Sequence, residues 1–177
     1  MNNFSTLLIS ALLISLLKRF PQGSKPEFVR GDIAWGTDNM MREMQEINQK
    51  YLFKLKKSVN VKELIYKHHC LGEWEYINKE WEAKEDTLKL QGWDKARRVV
   101  VVRRRISSDH IIGIEYKKEG QQSLVFIDGP EDMKAYEYSV LVTDLDDDLL
   151  TIFHHYRDRA DCENNFDEMK NQWGWGG

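Results

Sequence analysis

The sequence is poor in cysteine, in net charge and in long apolar runs, and each shortage excludes something. Two cysteines, Cys70 and Cys162, in 177 residues offer no disulfide framework, so a reducing, cytoplasmic setting is expected. A net charge of −3 does not by itself announce nucleic acid. The most apolar run, Phe4–Leu17, is about 14 residues long, short of the roughly 20 a membrane-spanning helix needs. No Lys or Arg precedes it as the n-region of a signal peptide would require. A buried helix ended by Lys18, Arg19 and Pro21 is expected there, with a signal or membrane segment as the alternative. There is no glycine-rich phosphate loop, no GxSxG elbow and no Cys/His dyad. His68-His69-Cys70 and His154-His155 set adjacent residues about 100° apart on a helix, with no matching ligand pair at a zinc spacing.

What is present reads as an α/β chain. Glu27–Asp32 has the pattern of a short strand. Thr37 suits an N-cap, followed by a helix to about Asn48 with Met41, Met44 and Ile47 on its apolar side. Tyr51–Leu55 reads as the next strand, which makes a βαβ unit of a parallel or mixed sheet. Val59–Lys67 reads as another helix. From Trp74 to Val142 helical periodicity fades. Trp74–Trp81, Glu82–Leu90, Arg97–Ile106, Ile111–Tyr116, Leu124–Ile127 and Tyr138–Val142 read as strands, punctuated by Gly92, Gly120 and Asp128-Gly129-Pro130. Asp147 is the expected cap of a last long helix.

That last helix holds the anomaly of the sequence. At about 100° per residue, Tyr156, Arg159, Glu163 and Lys170 share about 60° of arc. The same arc continues the apolar stripe of Leu149, Ile152, Phe153, Ala160 and Phe166. Charges on a core-facing stripe are paired, bind a metal or serve a site. Asp32, at the end of a strand, occupies the position where open α/β sheets place ligands; its plain reading is a strand terminator or helix cap. Asp32 and Glu163 could meet around a hard cation, as two-metal phosphoryl transfer requires. The plain alternative is an Arg159–Glu163 pair at i, i+4, and Asp167 lies near the same arc. Arg159, Lys170 and Tyr156 beside a carboxylate would suit phosphate, while Tyr156 is equally a packing residue. Arg97, Arg98, Arg103, Arg104 and Arg105 flank Val99–Val102 and form either a basic ridge for DNA or a solvated or edge strand protected by charge. Trp74, Trp81 and Trp93 offer base-stacking surfaces or sheet core.

The spacing Tyr156, Arg159, Glu163, Lys170 resembles the Y-R-E-K signature of DDE transposases of bacterial insertion sequences. The segment FVRGDIAWGTD resembles the family's second-aspartate strand, which matches Asp32 to the second D and Glu163 to the E. The resemblance covers roughly Pro26 to the end. It implies a partial RNase H-like mixed sheet flanked by helices and interrupted by a β-rich insertion. The implied divisions are an apolar helix (1–25), the first part of the catalytic core (26–70), the insertion (71–136) and the end of the core with the Glu-bearing helix (137–177). It further implies metal-dependent cleavage and strand transfer of DNA at transposon ends, with Mg2+ or Mn2+ in a two-metal site held by Asp32 and Glu163. Tyr156, Arg159 and Lys170 would position the DNA backbone; Arg97, Arg98, Arg103, Arg104, Arg105, Trp74 and Trp81 are candidate DNA contacts. The intact family implies a homo-oligomer on DNA and no membrane. One departure stands out: no aspartate precedes Asp32, so the family's first carboxylate is missing. The chain is therefore expected to be an internal or truncated piece, inactive alone. A catalytically dead DNA-binding remnant and a domain with no nucleic-acid role are the competing expectations.

Overall fold

A computed structural model describes residues 3–21, 23–106, 133 and 135–157. Their strands form one mixed sheet with helices on both faces, the α/β architecture expected. In chain order the elements are α1 (Asn3–Arg19), β1 (Phe28–Gly31), α2 (Asp38–Glu46), β2 (Lys50–Lys54), α3 (Val59–Leu71), β3 (Glu75–Tyr76), β4 (Trp81–Leu88), β5 (Arg97–Arg105) and β6 (Tyr136–Thr143). A last helix, α4, is described over 149–157. The six strands lie in the order β1-β2-β6-β5-β4-β3. β1 and β2 are parallel, and every other neighbouring pair is antiparallel.

The βαβ unit forms for local reasons. The Thr37 hydroxyl accepts a hydrogen bond from the Met40 amide at 3.3 Å, and Asp38 sits in the first turn of α2, both favourable at a positive helix end. Met40, Met41 and Met44 bury one side of α2. Asn48 then takes φ 52°, a left-handed conformation that Asn tolerates, and turns the chain into β2. The buried Gln49 amide donates to the Pro26 carbonyl at 2.9 Å, which ties the entrances of β1 and β2 together.

Strand alternation divides the core in two. Tyr51, Phe53, Val99, Val101, Val140 and Val142 face α1, α2 and α3. Leu52, Val100, Val102 and Leu141 face α4, with Leu149, Ile152 and Phe153 packed on them. Because both faces are covered, the central strands are continuous apolar runs. The β-rich stretch accordingly continues the sheet of the βαβ unit: β6 pairs with β2 on one side and β5 on the other.

Several expectations need correction. The strand expected over Trp74–Trp81 is cut to two residues, Glu75–Tyr76. The Asn78 side-chain oxygen accepts from the Glu80 and Trp81 amides at 3.0 and 3.1 Å, an Asx turn that reverses the chain. The cap of α4 is Asp148 rather than Asp147: its carboxylate accepts from the Thr151 amide at 2.7 Å. β5 is an interior strand, so its arginines protect no edge. α1 is only partly buried; Ile14 and Leu17 enter the core while Ile9, Leu12, Leu16 and Phe20 are exposed. An unbroken apolar run does not reveal which stripe packs. Among the described residues no helix is long and apolar enough to cross a membrane. The strands expected at Ile111–Tyr116 and Leu124–Ile127 lie outside the described residues.

Candidate functional site at the carboxyl end of the parallel strands

Asp32 follows β1 directly and is exposed. It opens a tight turn in which the Trp35 amide donates to the Asp32 carbonyl at 2.9 Å and the Thr37 amide to the Trp35 carbonyl at 2.8 Å. Two glycines make the turn fit. A Cβ on Gly31 would stand 2.8 Å from Phe53 Cδ1 and from Trp35 Cβ, and one on Gly36 would stand 2.7 Å from the Lys54 carbonyl oxygen. The close approach of backbone to backbone at Gly36 leaves no room for a side chain. Gly31 and Gly36 thus bracket Asp32 and press its turn against the end of β2.

α4 reaches the same end of the sheet from the opposite direction. It starts beside Thr143, where the Arg98 guanidinium donates to the carbonyls of Leu145 and Asp147 at 2.7 and 2.9 Å. It then runs antiparallel to β6, in the direction of β1. At its far end Arg30 Nη1 donates to the His155 carbonyl at 2.6 Å, and the Phe28 and His155 rings lie 4.5 Å apart. The half-buried Tyr156 donates its hydroxyl to Ser139 Oγ at 3.4 Å. Leu149, Ile152 and Phe153 are buried, so the stripe read from the sequence is the face that packs. Arg157 is half-buried with its guanidinium 5.2 Å from the Trp81 ring centre. Arg159, Glu163, Asp167 and Lys170 lie outside the described residues.

The arginines of β5 do not form one ridge. Strand alternation sends Arg97, Arg103 and Arg105 to one face and Arg98 and Arg104 to the other. Arg97 is buried, its guanidinium 3.0 Å from Asp38 and 2.6 Å from Asp94. Arg98 pairs with Glu85 at 2.6 Å, Arg103 with Glu82 at 2.6 Å and Arg104 with Glu137 at 3.0 Å. Arg105 is exposed. The tryptophans follow suit. Trp81 and Trp93 are buried in the two cores. Trp74 is half-buried with the Arg103 guanidinium 4.2 Å from its ring centre, and the Tyr136 ring centre is 4.3 Å from the same guanidinium. Period-two reading of RRVVVVRRR contained the split between faces; the carboxylate partners on β4, α2 and β6 are tertiary and were not visible.

Residues that sequence reasoning passed over also gather here. Arg30 and Ser139 seat the end of α4. Lys54 ends β2, level with Asp32, and Lys56 and Lys57 follow in the turn after it. Burial pulls the Lys57 ammonium down to about 8, with Lys54 and Lys62 adding repulsion and Glu137 opposing it. Three lysines in four positions after a strand were the signal available in the sequence. Among the described residues no group of three or more His, Cys, Asp or Glu could hold a metal ion. Asp32 contributes one exposed carboxylate, a hard oxygen donor of the kind that Mg2+ and Mn2+ prefer.

In comparison with known proteins, residues 7–176 match the family described as Transposase DDE domain. No curated protein and no solved structure matches the chain.

Proposed function

The chain belongs to the transposase DDE domain family, and on that premise we propose that it serves DNA transposition through divalent-metal-dependent cleavage and strand transfer of phosphodiesters at transposon ends. Asp32 and Glu163 are the carboxylates that hold the ion. Tyr156, Arg159 and Lys170 steady the DNA backbone beside them, in the arrangement of the Y-R-E-K signature of insertion-sequence enzymes. The ion, when bound, supplies charge neutralisation at the phosphate and an activated attacking oxygen. The protein works in the cytoplasm as a homo-oligomer on DNA.

The observation that carries this reading is the course of α4. Its start is fixed near Thr143 and its far end near Arg30 and Ser139, so it advances about 12 Å at 1.5 Å per residue toward the strand end that bears Asp32. Glu163 follows Tyr156 by seven positions in the sequence. No aspartate precedes Asp32 in these 177 residues. They hold two of the family's three carboxylates and, taken alone, cleave little or no DNA.

Calorimetric titration of Mn2+ into the full chain tests the site without relying on activity. Asp32→Asn and Glu163→Gln should each weaken Mn2+ binding by roughly tenfold or more. Unchanged affinity in both variants would remove the two-carboxylate site. Nicking of supercoiled DNA by the chain with Mg2+, abolished by Glu163→Ala, would refute its inactivity.

A further inference from the structure

We propose that Lys54, Lys56 and Lys57, the lysines at the end of β2 and in the turn that leads to α3, form a phosphate-binding knuckle that holds the DNA backbone next to Asp32. This inference rests on the transposase reading of the same end of the sheet and adds a contact outside the Tyr156–Lys170 series.

The first support is position. Gly31 pairs with Phe53 in the parallel register, so Asp32 is level with Lys54, on strands about 5 Å apart. The turn that carries Asp32 touches Lys54 directly, since Gly36 lies against the Lys54 carbonyl. Lys54 is two positions from Leu52, which puts its side chain on the α4 face, where Tyr156 meets Ser139. β2 makes its last sheet bond from the Leu55 amide to the Val140 carbonyl at 2.8 Å. The chain then turns through a Ser58 amide to Lys56 carbonyl bond of 2.7 Å.

The second support is electrostatic conflict. A helix start is positive and favours acidic residues and a side-chain cap. α3 has neither: Ser58 makes no side-chain cap hydrogen bond and the first turn holds no acid. Lys56 and Lys57 immediately precede its cap instead, with Lys54 at the adjoining strand end. Among the described residues no ion pair or hydrogen bond engages their ammonium groups, in contrast to Lys50, Lys67 and Lys84, each paired with a carboxylate. The carboxylate whose charge acts on Lys57, Glu137, is already paired with Arg104 at 3.0 Å. Lys57 is half-buried, and its affinity for a proton falls through burial first and then through Lys54 and Lys62. A group of cations arranged against both a helix start and one another is relieved by an anion. Beside Asp32 the proposed DNA substrate presents one, its phosphodiester backbone.

The test is salt-dependent binding of the full chain to a short fluorescein-labelled DNA duplex, followed by anisotropy over about 50 to 200 mM salt. Each phosphate contact adds about 0.9 to the slope of log K against log salt. The variant Lys54→Gln/Lys56→Gln/Lys57→Gln should lose about two to three from that slope and bind more weakly. The charge-matched control Lys25→Gln/Lys89→Gln/Lys95→Gln, at sites away from this strand end, should keep it. Arginine at the three knuckle positions should restore it. Should the triple glutamine variant fail to fold, Lys56→Gln alone, at an exposed position, carries the test with a loss of about one. As a second readout, the Lys57 ammonium, followed by NMR, should titrate upward from about 8 when the duplex is added. Equal slopes for knuckle and control variants, or an unmoved Lys57, would overturn the knuckle while leaving the transposase reading intact. A wild-type chain with no salt-dependent DNA binding would refute both.

Discussion

Replacing Arg97 with methionine should weaken the fold, not the grip on DNA. The guanidinium is 2% exposed and donates to Asp38, Asp94, Gln45 Oε1 and Tyr51 Oη at 3.0, 2.6, 3.1 and 3.3 Å. Breaking a buried ion pair from one side costs about 3–5 kcal/mol because the remaining charge is stranded. Here the stranded carboxylates are partly wet, with Asp38 19% and Asp94 41% exposed, so water recovers part of the loss. Tyr51 is fully buried, and its hydroxyl loses a partner at a cost of about 1–3 kcal/mol. Methionine keeps most of the stem. The expected net is about 3 kcal/mol, or a fall of about 1 M in the urea midpoint for a slope near 3 kcal/mol/M.

The acid limb gives a second signature. Burial pushes the Asp38 carboxyl up, but hydrogen bonds from Arg97 and the Asp94 amide outweigh it and hold the group below its usual value. A depressed carboxyl stabilises the fold above its unfolded value of about 3.9 and loses that contribution as pH falls through the folded value. Urea midpoints measured from pH 7 into acid should therefore fall more steeply in the wild type than in Arg97→Met. A change below about 0.5 kcal/mol at pH 7, the range of ordinary surface substitutions, with no difference in the acid limb, would refute the buried-pair account. It would also return Arg97 to the candidate DNA contacts.

Two further predictions concern the frame around the site. Gly36→Ala should destabilise by about 1–3 kcal/mol, since the added methyl meets the Lys54 carbonyl and backbone must move; an unchanged thermal midpoint would show that the turn has slack. Phe153→Ala should cost about 3–5 kcal/mol, because the ring is 2% exposed and lies 5.3 Å from Trp81. It should also loosen α4, read as faster amide exchange across 149–157.

Local chemistry made much of this architecture legible. The Thr37 cap, the methionine stripe of α2 and the short apolar runs of β2, β5 and β6 are short-range signals, and the structure uses them as read. The packed face of α4 was legible too, through Leu149, Ile152 and Phe153. Other features depend on partners distant in the chain. Arg97 looks the same in sequence whether it meets Asp38 across 59 positions or a phosphate. Asp144 to Asp148 offers four aspartates for one cap, and only the bond to Thr151 selects Asp148. The Asn78 turn was written in its residue type and was outweighed by the aromatic content of Trp74–Trp81. For the site, Asp32 was legible as a strand-end carboxylate. Arg30 and Ser139 were not, because their significance arises only when α4 packs across β1 and β6; the lysines of 54–57 showed as a cluster, but not their place beside Asp32.

The place of β6 in the sheet sets an order of events during synthesis. The strand at the middle is the last of the six to be made, and β2 and β5 each wait for it with an edge unpaired. About 80 to 90 residues separate the end of β2 from β6, which at 5–20 residues per second leaves β2 waiting roughly four to eighteen seconds. β5 ends about 30 to 40 residues before β6, so for roughly 1.5 to 8 seconds of that wait Val99–Val102 has an open strand edge, an invitation to pair with another nascent chain. Arg97, Arg98, Arg103 and Arg104, each paired with a carboxylate in the finished sheet, set charge on either side of that run, the pattern by which gatekeeper residues discourage such pairing.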